Sequence, residues 1–304
     1  MERVLQELKY CGICVEENVP LSHYSSFRIG GPGRCLVFPS TKEELVTALE
    51  ILARNGIPFS VFGRGSNLVF PDEGLAGAVI FTTRMHRVTW DATSVRADAG
   101  VSLASLAVGA RERALTGLEF AHGIPGTLGG AVFMNAGAFG GEMSNVCVRS
   151  TYLDFSTMTV HGLLGSEHAF AYRASVYQRH PAWILLEAEL SLSSGDPAAI
   201  AAQMEEYRGR RRATQPLEYP SAGSVFKRPL EDAAGRLIDE CSLKGTSVGG
   251  AMVSHKHAGF IVNTGNATCA DVRALVELIR ERVREQTGVN LECEIQFVEE
   301  TKKC

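Results

Sequence analysis

Two glycine-rich turns are the segments of this chain whose residue types most directly indicate ligand chemistry. Because glycine has no Cβ, a turn built from it can point several backbone N–H groups at one anion. The first turn alone is explained equally well as an ordinary tight turn, whereas four glycines in nine residues match no core-packing pattern. The turns are Gly63-Arg64-Gly65-Ser66-Asn67 and the 123–131 segment GIPGTLGGA, with Ile124, Pro125, Gly126, Thr127, Gly129 and Gly130.

The pairing of these turns predicts a dinucleotide whose pyrophosphate is held from both sides. Neither turn matches the G-x-G-x-x-G sequence that opens a Rossmann helix, and so the pattern predicts a dinucleotide on a non-Rossmann frame. A third cluster, SSFRIGG at 25–31, sets Arg28 beside a double glycine. Taken alone, this cluster is better explained as an ordinary turn.

Three polar residues could take part in acid–base or carboxylate chemistry. Ser224 lies in SAGSVFK at 221–227, but the G-x-S-x-G elbow is absent, which leaves a serine hydrolase weakly supported. The guanidinium fork of Arg173 suits a carboxylate, and Glu294 falls on the polar face of a predicted strand together with Glu292. From spacing alone, Ser224 is better explained as a turn hydroxyl, Arg173 as a surface cation and Glu294 as part of a solvated strand face.

The cysteines and histidines give no metal pattern, and we expect no metal centre. Cys11 and Cys14 form one C-x-x-C without a second ligand pair at a useful spacing. His255 and His257 alternate in SHKHAGF, which predicts that both rings lie on one side of a strand, in a structural or substrate-facing role. Dispersed cysteines in a chain of this size indicate reduced thiols in a cytosol.

Ordinary helices and strands must position these motifs. Thr41 and Glu44 predict a capping box for a helix over 40–56, and Thr268 and Asp271 predict one for a helix that Gly288 ends. Strands are predicted at 57–63, 78–83, 86–90, 94–100 and 291–298, and helices from 102 to 117 and after 195. We predict an α+β or α/β fold in three units: two cofactor-binding subdomains, 1–90 and 91–200, and a substrate domain, 201–304.

The bulk properties limit the partners of this protein. With 304 residues, a formal charge of −4 and a pI near 6.1, the chain has no global electrostatic reason to bind nucleic acid or an anionic membrane. The charged N-terminal segment MERVLQELKY does not match a secretory signal, and no apolar run has the length of a membrane span. We therefore expect a cytoplasmic monomer whose partners are small molecules held by a local site.

In their order, the motifs resemble the UDP-N-acetylenolpyruvoylglucosamine reductase family from about residue 20 onward. The resemblance implies FAD bound between two subdomains of the vanillyl-alcohol-oxidase (PCMH-like) type, closed by a third domain. It makes the two turns FAD contacts, together with Asn135, Gly137 and nearby Arg28. It rests on SFRIGG (26–31), GRGSNLVF (63–70), GIPGTLGGAVFMNAGAFGGE (123–142), YRAS (172–175), SAGSVFK (221–227) and LECEI (291–295).

The resemblance also implies catalytic roles that spacing could not supply. Ser224 matches the proton donor, while Arg173 and Glu294 match the residues that engage the enolpyruvyl carboxylate of UDP-N-acetylglucosamine enolpyruvate, with NADPH as reductant. Lys227 would stabilise the Ser224 alkoxide, and Tyr172 and Arg228 would contact the substrate. The short stretch between Tyr172 and Ser221 matches the class without a substrate-capping tyrosine loop, and Arg228 replaces the asparagine of some members.

Two other functions remain open on the sequence. A different flavin oxidoreductase of the same two-subdomain frame could act on an alcohol or sugar, but it would not be expected to carry SAGSVFK together with LECEI. A nucleotide-sugar binding protein without catalysis would be favoured by loss of any of the three catalytic candidates. All three are present.

Overall fold

The computed structural model describes residues 1–230 and 232–299, which form an α+β molecule with two main sheets and a third, smaller unit. Its α-helices are α1 (Glu2–Tyr10), α2 (Lys42–Arg54), α3 (Leu103–Glu112), α4 (Leu128–Met134), α5 (Pro197–Thr214), α6 (Ala234–Glu240) and α7 (Cys269–Thr287). Its strands are β1 (Cys14–Pro20), β2 (Pro32–Phe38), β3 (Phe59–Phe62), β4 (Leu68–Val69), β5 (Leu75–Phe81), β6 (Val88–Asp91), β7 (Ser94–Asp98), β8 (Leu115–Thr116), β9 (Gly137–Ala138), β10 (Gly141–Glu142), β11 (Cys147–Asp154), β12 (Thr159–Leu164), β13 (Trp183–Ser191), β14 (Ser193–Ser194), β15 (Ser247–Val248), β16 (Ala251–Val253), β17 (Ile261–Asn263) and β18 (Gln296–Phe297).

The first sheet has the strand order β1-β2-β5-β3 and mixed direction. Strand β1 runs antiparallel to β2, whereas β2 and β3 both run parallel to β5. The central strands read as near-continuous apolar runs because both of their faces are buried. Helices α1 and α2 contribute Leu8, Leu45, Leu49 and Leu52 to the core on one side of this sheet.

The second sheet is antiparallel throughout, in the order β12-β11-β13-β7-β6. One face packs with α3, α4 and α5 in the largest apolar core. The other face supplies Leu153, Ile184 and Leu186 to the core of the first sheet. The two sheets therefore share a buried layer, and the second glycine-rich turn leads into α4 on the opposite face of the second sheet.

The third unit combines the antiparallel sheet β15-β16-β17 with α6 and α7. The apolar stripe of α7, which includes Val272, Leu275, Ile279 and Val283, is buried in its core. This core also contains Phe27, Ile29 and Val69 of the first unit. In addition, β18 pairs in parallel with β4, so the end of the described chain is hydrogen-bonded to the strand that follows the first glycine-rich turn.

The capped helices agree with the sequence predictions. Thr41 accepts a hydrogen bond from the Glu44 N–H at 3.1 Å, and Thr268 and Asp271 form the full reciprocal box at α7. In a capping box the Glu44 carboxylate would accept from the Thr41 N–H, whereas here it accepts from the Ser40 N–H. Gly56 and Gly288 follow α2 and α7 with φ of +64° and +75°.

Several local predictions were wrong in extent or type. The helix predicted to reach residue 117 ends at Glu112, and the strand predicted over 291–298 is regular only at Gln296–Phe297. His255 and His257 lie in a turn after β16, where the Gly259 N–H donates to His257 Nδ1 at 3.1 Å, so the strand alternation inferred there does not exist.

The predicted unit boundaries stay predictions, and each falls within an element of the structure. The boundary expected at residues 90/91 falls inside β6, and the one at 200/201 falls inside α5. We propose instead that the units divide at 82–87 and 215–220, where the chain leaves a strand or a helix. No helix of the described residues is long and apolar enough to cross a lipid bilayer.

Candidate active site

The two glycine-rich turns lie directly against each other. A Cβ atom added at Gly63 would lie 2.2 Å from Thr127 Oγ1, and one added at Gly126 would lie 3.8 Å from Ser66 Oγ. Thr127 is the N-cap of α4, where its hydroxyl accepts from the Gly130 N–H at 3.4 Å. Because side chains are missing at Gly63 and Gly126, the backbones of the two turns form one continuous surface.

The first turn has the properties of an anion cradle. Among the described residues, none accepts a hydrogen bond from the backbone N–H groups of Arg64, Gly65 or Ser66. Gly65 has φ +65°, and a Cβ there would lie 2.2 Å from the Tyr24 carbonyl oxygen, which requires glycine. Three successive free donors suit a phosphate or pyrophosphate, so the turn fits the nucleotide cofactor that the sequence predicts.

Asn67 has a different position from its neighbours in this turn. Its side-chain amide donates to the Glu294 carbonyl oxygen at 3.0 Å, and its own carbonyl accepts from the Gln296 N–H at 2.9 Å. Asn67 therefore connects the turn to the segment that carries a catalytic candidate. Arg64, within this turn, is exposed, as is Arg28.

Two residues predicted to bind the cofactor follow α4: Asn135 is buried and Gly137 is partly exposed. Asn135 is completely buried, with φ +43°, and its amide donates to the Ala171 carbonyl and accepts from the Ser144 N–H. The predicted contact of Asn135 with FAD stays a proposal, and in this conformation its side chain joins the loops that contain Ser144 and Ala171. The Gly137 carbonyl, in β9, accepts from Arg173 Nη2 at 3.1 Å.

Arg173 and Glu294 form a largely buried ion pair, although 121 positions separate them in sequence. The distance from Arg173 Nε to Glu294 Oε1 is 2.7 Å, and the two side chains are 21% and 14% exposed. Burial raises the pKa of the Glu294 carboxyl, while the charges of Arg173 and Lys227 act in the opposite direction. The interpretation of these residues as separate surface charges was wrong.

Ser224 is on the strip of chain next to Glu294. The Val225 N–H donates to the Gly259 carbonyl at 2.9 Å, and the Val225 carbonyl accepts from the Glu294 N–H at 2.8 Å. An antiparallel bridge also joins Ser224 to Phe260. The SAGSVFK segment thus runs between the 257–260 turn and the 291–295 segment, which brings Ser224 and Glu294 onto adjacent strips.

The three substrate-side candidates lie at the more exposed edge of this region. Lys227 pairs with Glu292, whose side chain is 72% exposed. The Arg228 N–H donates to the Tyr172 hydroxyl at 3.2 Å, and the Arg173 guanidinium carbon lies 5.0 Å from the centre of the Tyr172 ring. The hydrogen bond joins the YRAS segment to the residue that follows SAGSVFK, and the ring contact lies within YRAS itself.

Two features of the site have no clear motif in the sequence. Arg211 of α5 packs against Gly123, and Asn263 binds the Phe27 carbonyl at 3.1 Å across 236 positions. The basic run at 208–212 was the only available signal for Arg211, and such a run is ordinarily a solvated helix face. Nothing in the sequence around Asn263 indicated its contact with Phe27.

Comparisons with known proteins agree with this arrangement. Residues 215–298 match the model described as UDP-N-acetylenolpyruvoylglucosamine reductase, C-terminal domain, and residues 33–161 match an FAD binding domain. A protein of Caldanaerobacter subterraneus subsp. tengcongensis named UDP-N-acetylenolpyruvoylglucosamine reductase is 46% identical over 283 residues, or 93% of each chain. The chain belongs to the UDP-N-acetylenolpyruvoylglucosamine reductase family.

Other members of the reductase family cover the chain equally well. The protein of the same name from Bacillus licheniformis is 40% identical over 304 residues, 99% of this chain and 100% of the relative. The crystal structure of the reductase from Thermus caldophilus has a TM-score of 0.79 at 37% identity, covering 94% of this chain and 99% of that one. The chain is an FAD-dependent oxidoreductase with an FAD-binding unit and the C-terminal domain of this family.

Proposed function

We propose that this protein reduces UDP-N-acetylglucosamine enolpyruvate to UDP-N-acetylmuramate with NADPH, through bound FAD, in the synthesis of peptidoglycan precursors. One observation carries the proposal: Glu294, the partner of Arg173 in a largely buried ion pair, lies on the strip adjacent to Ser224. An anionic alkene acid needs a cation for its carboxylate and a proton donor for its carbon, and this cluster offers both. Its partners are small molecules, its compartment the cytoplasm, and its state a monomer.

The glycine-rich turns would hold the cofactor. The free N–H groups of Arg64, Gly65 and Ser66 would bind its pyrophosphate, and the segment from Ile124 to Gly130 would form the opposite wall. When bound and reduced, FAD supplies a hydride to the methylene carbon of the enol ether. Gly137, whose carbonyl already accepts from Arg173, links this wall to the carboxylate-binding side chain.

Arg173 and Glu294 would act on the carboxylate end of the substrate. As negative charge spreads from the second alkene carbon onto this carboxylate, the Arg173 guanidinium stabilises it. Glu294 must be protonated to donate a hydrogen bond there, and the rise of its pKa with burial favours that form. Exchange of the Arg173–Glu294 pair for an Arg173–substrate pair would leave Glu294 free to hold a proton.

Ser224 would deliver the proton to the carbon. A serine hydroxyl is a weak acid, and it needs a nearby cation to stabilise its alkoxide. Lys227 was expected in this role, and here it pairs with the exposed carboxylate of Glu292. Exposed pairs contribute about 0–1 kcal/mol, and so Lys227 can exchange Glu292 for another partner at low cost.

The visible spectrum of the purified protein, recorded without oxygen, tests the proposal. NADPH should bleach the flavin absorption, and UDP-N-acetylglucosamine enolpyruvate should restore it with formation of UDP-N-acetylmuramate. Bleaching without restoration would favour an oxidoreductase for another substrate. A protein that binds no FAD even after reconstitution would contradict the proposal entirely.

A further inference from the structure

Arg211, in the last turn of α5, lies against the first glycine of the second glycine-rich turn. A Cβ added at Gly123 would lie 2.4 Å from Arg211 Nε and 2.5 Å from its Cδ. On another side, the Arg211 guanidinium carbon lies 5.1 Å from the centre of the Phe139 ring. That ring stacks on Tyr207 with centres 4.4 Å apart and planes 12° apart. Arg211 is thus held in place by glycine on one side and an aromatic stack on the other.

Within residues 1–230 and 232–299, no carboxylate pairs with this half-buried cation. Its neighbours Arg208 and Arg210 pair with Glu205 and Glu206 on the same helix. For Arg211 there is a single long hydrogen bond, from Nη1 to Gln215 Oε1 at 3.4 Å. Every buried side-chain polar atom of these residues has a partner, so the remaining guanidinium donors face solvent-accessible space.

The surroundings of Arg211 are electropositive. Burial lowers the pKa of the Arg211 guanidinium, since desolvation disfavours its charge. Burial also lowers the pKa of His122, and Arg111, Arg208 and Arg211 add to that effect while Glu205 opposes it. A half-buried cation without a carboxylate loses part of its hydration, and a bound anion would offset that cost.

We infer that Arg211, beside the backbone of His122 and Gly123, binds a phosphoryl group of a nucleotide that occupies the second glycine-rich turn. The guanidinium offers a planar fork of donors matched to phosphate oxygens, and Gly123 lets the fork lie against the turn. The inference deepens the proposed function and takes its nucleotides from there: the diphosphate of FAD or a phosphate of NADPH. The shared chemistry is a phosphoryl anion.

Titration of apoprotein with FAD, followed by quenching of flavin fluorescence, tests this without any turnover. Arg211→Gln should raise the Kd for FAD roughly ten- to a hundredfold if the flavin diphosphate is the ligand, the usual range for losing a charge-assisted hydrogen bond. Arg211→Lys keeps the charge without the fork and should show an intermediate effect. Loss of the proposed substrate specificity would leave this titration unaffected, so the two proposals fail separately.

Arg212→Gln is the matched control, because Arg212 is the next residue of α5 and is exposed. It should leave the Kd for FAD within about twofold of the parent. If FAD binding is unchanged in Arg211→Gln and the KM for NADPH rises, the phosphate belongs to the reductant, and a smaller rise for NADH assigns it to the 2′-phosphate. Equal behaviour of the Gln variants at 211 and 212 with both nucleotides would overturn the inference.

Discussion

Replacing Gly63 by alanine should separate the two glycine-rich turns and weaken FAD binding. The new Cβ would lie 2.2 Å from Thr127 Oγ1 and 3.3 Å from both carbons of that side chain, whereas Cβ contacts below 3.0 Å essentially never occur. The hydroxyl must therefore retreat by about 0.8 Å or leave its rotamer. Overpacking of this kind costs roughly 1–3 kcal/mol, and loss of the α4 cap costs about 1 kcal/mol more.

The companion change Thr127→Ala removes the clashing oxygen and leaves a carbon contact of 3.3 Å, which small adjustments can absorb. Alone, it should cost only the cap, about 1 kcal/mol. In the double variant, most of the Gly63→Ala effect should vanish, giving a coupling of about 1–2 kcal/mol in the free energy of unfolding and a Kd for FAD close to that of Thr127→Ala.

The measurement is a four-point cycle of FAD titrations on apoprotein, with urea unfolding of each variant as a check on folding. Gly126→Ala is the matched control for strain, because its new Cβ meets protein atoms no closer than 3.8 Å. Its apoprotein should keep the parent stability. If the effects of Gly63→Ala and Thr127→Ala simply add, the direct contact between the turns does not shape the cofactor site.

Three further changes test other parts of the site and core. Ser224→Ala should spare reduction of the flavin by NADPH and lower turnover at least a hundredfold, as stopped-flow traces of the two half-reactions would show; equal loss of both would exclude a proton-donor role. The pKa of Glu294 is raised in the folded state, so the folded protein holds this proton more tightly than the unfolded chain does. The contribution of Glu294 to stability is therefore greatest below its ordinary pKa and is lost as pH rises through the raised pKa. Urea unfolding of the parent relative to Glu294→Gln should follow that pH trend, and a flat difference across acidic pH would contradict it. Ser150→Ala should lower the free energy of unfolding by about 1–3 kcal/mol, because the Ser150 hydroxyl lies 2.7 Å from both the buried His168 ring and the Tyr177 hydroxyl. An unchanged urea midpoint would show that this network does not stabilise the fold.

The sequence predicted those parts of the fold that are governed by local rules. Thr41, Thr268 and Gly288 specify helix ends through contacts within a few residues, and the structure has helices there. The apolar stripe of α7 was predictable because it too depends only on the spacing of residues within one helix. The 291–298 alternation failed as a strand prediction because its hydrogen bonds go to distant, irregular partners: Val225 for Glu294 and Asn67 for Gln296.

The candidate site was predictable in its parts but not in its contacts. Glycine content identified both turns, because close backbone approach has a compositional signature. Spacing could not show that Arg173 meets Glu294, since their pairing depends on the packing of the second and third units. Asn135 shows another limit, because its motif gave no sign that its side chain is buried and hydrogen-bonded to backbone through both its nitrogen and its oxygen.

The hydrogen bonds between Asn67 and the Glu294–Gln296 segment have a consequence for the order of events during synthesis. The turn that would bind the pyrophosphate emerges from the ribosome early, and its partner Glu294 lies 227 residues later. At 5–20 residues per second, roughly ten to forty-five seconds of translation separate them. A nascent chain can assemble both main sheets in that time, yet its first turn remains without these bonds. We therefore expect tight cofactor capture to follow synthesis of the Glu294–Gln296 segment, and unfinished chains released early to lack FAD.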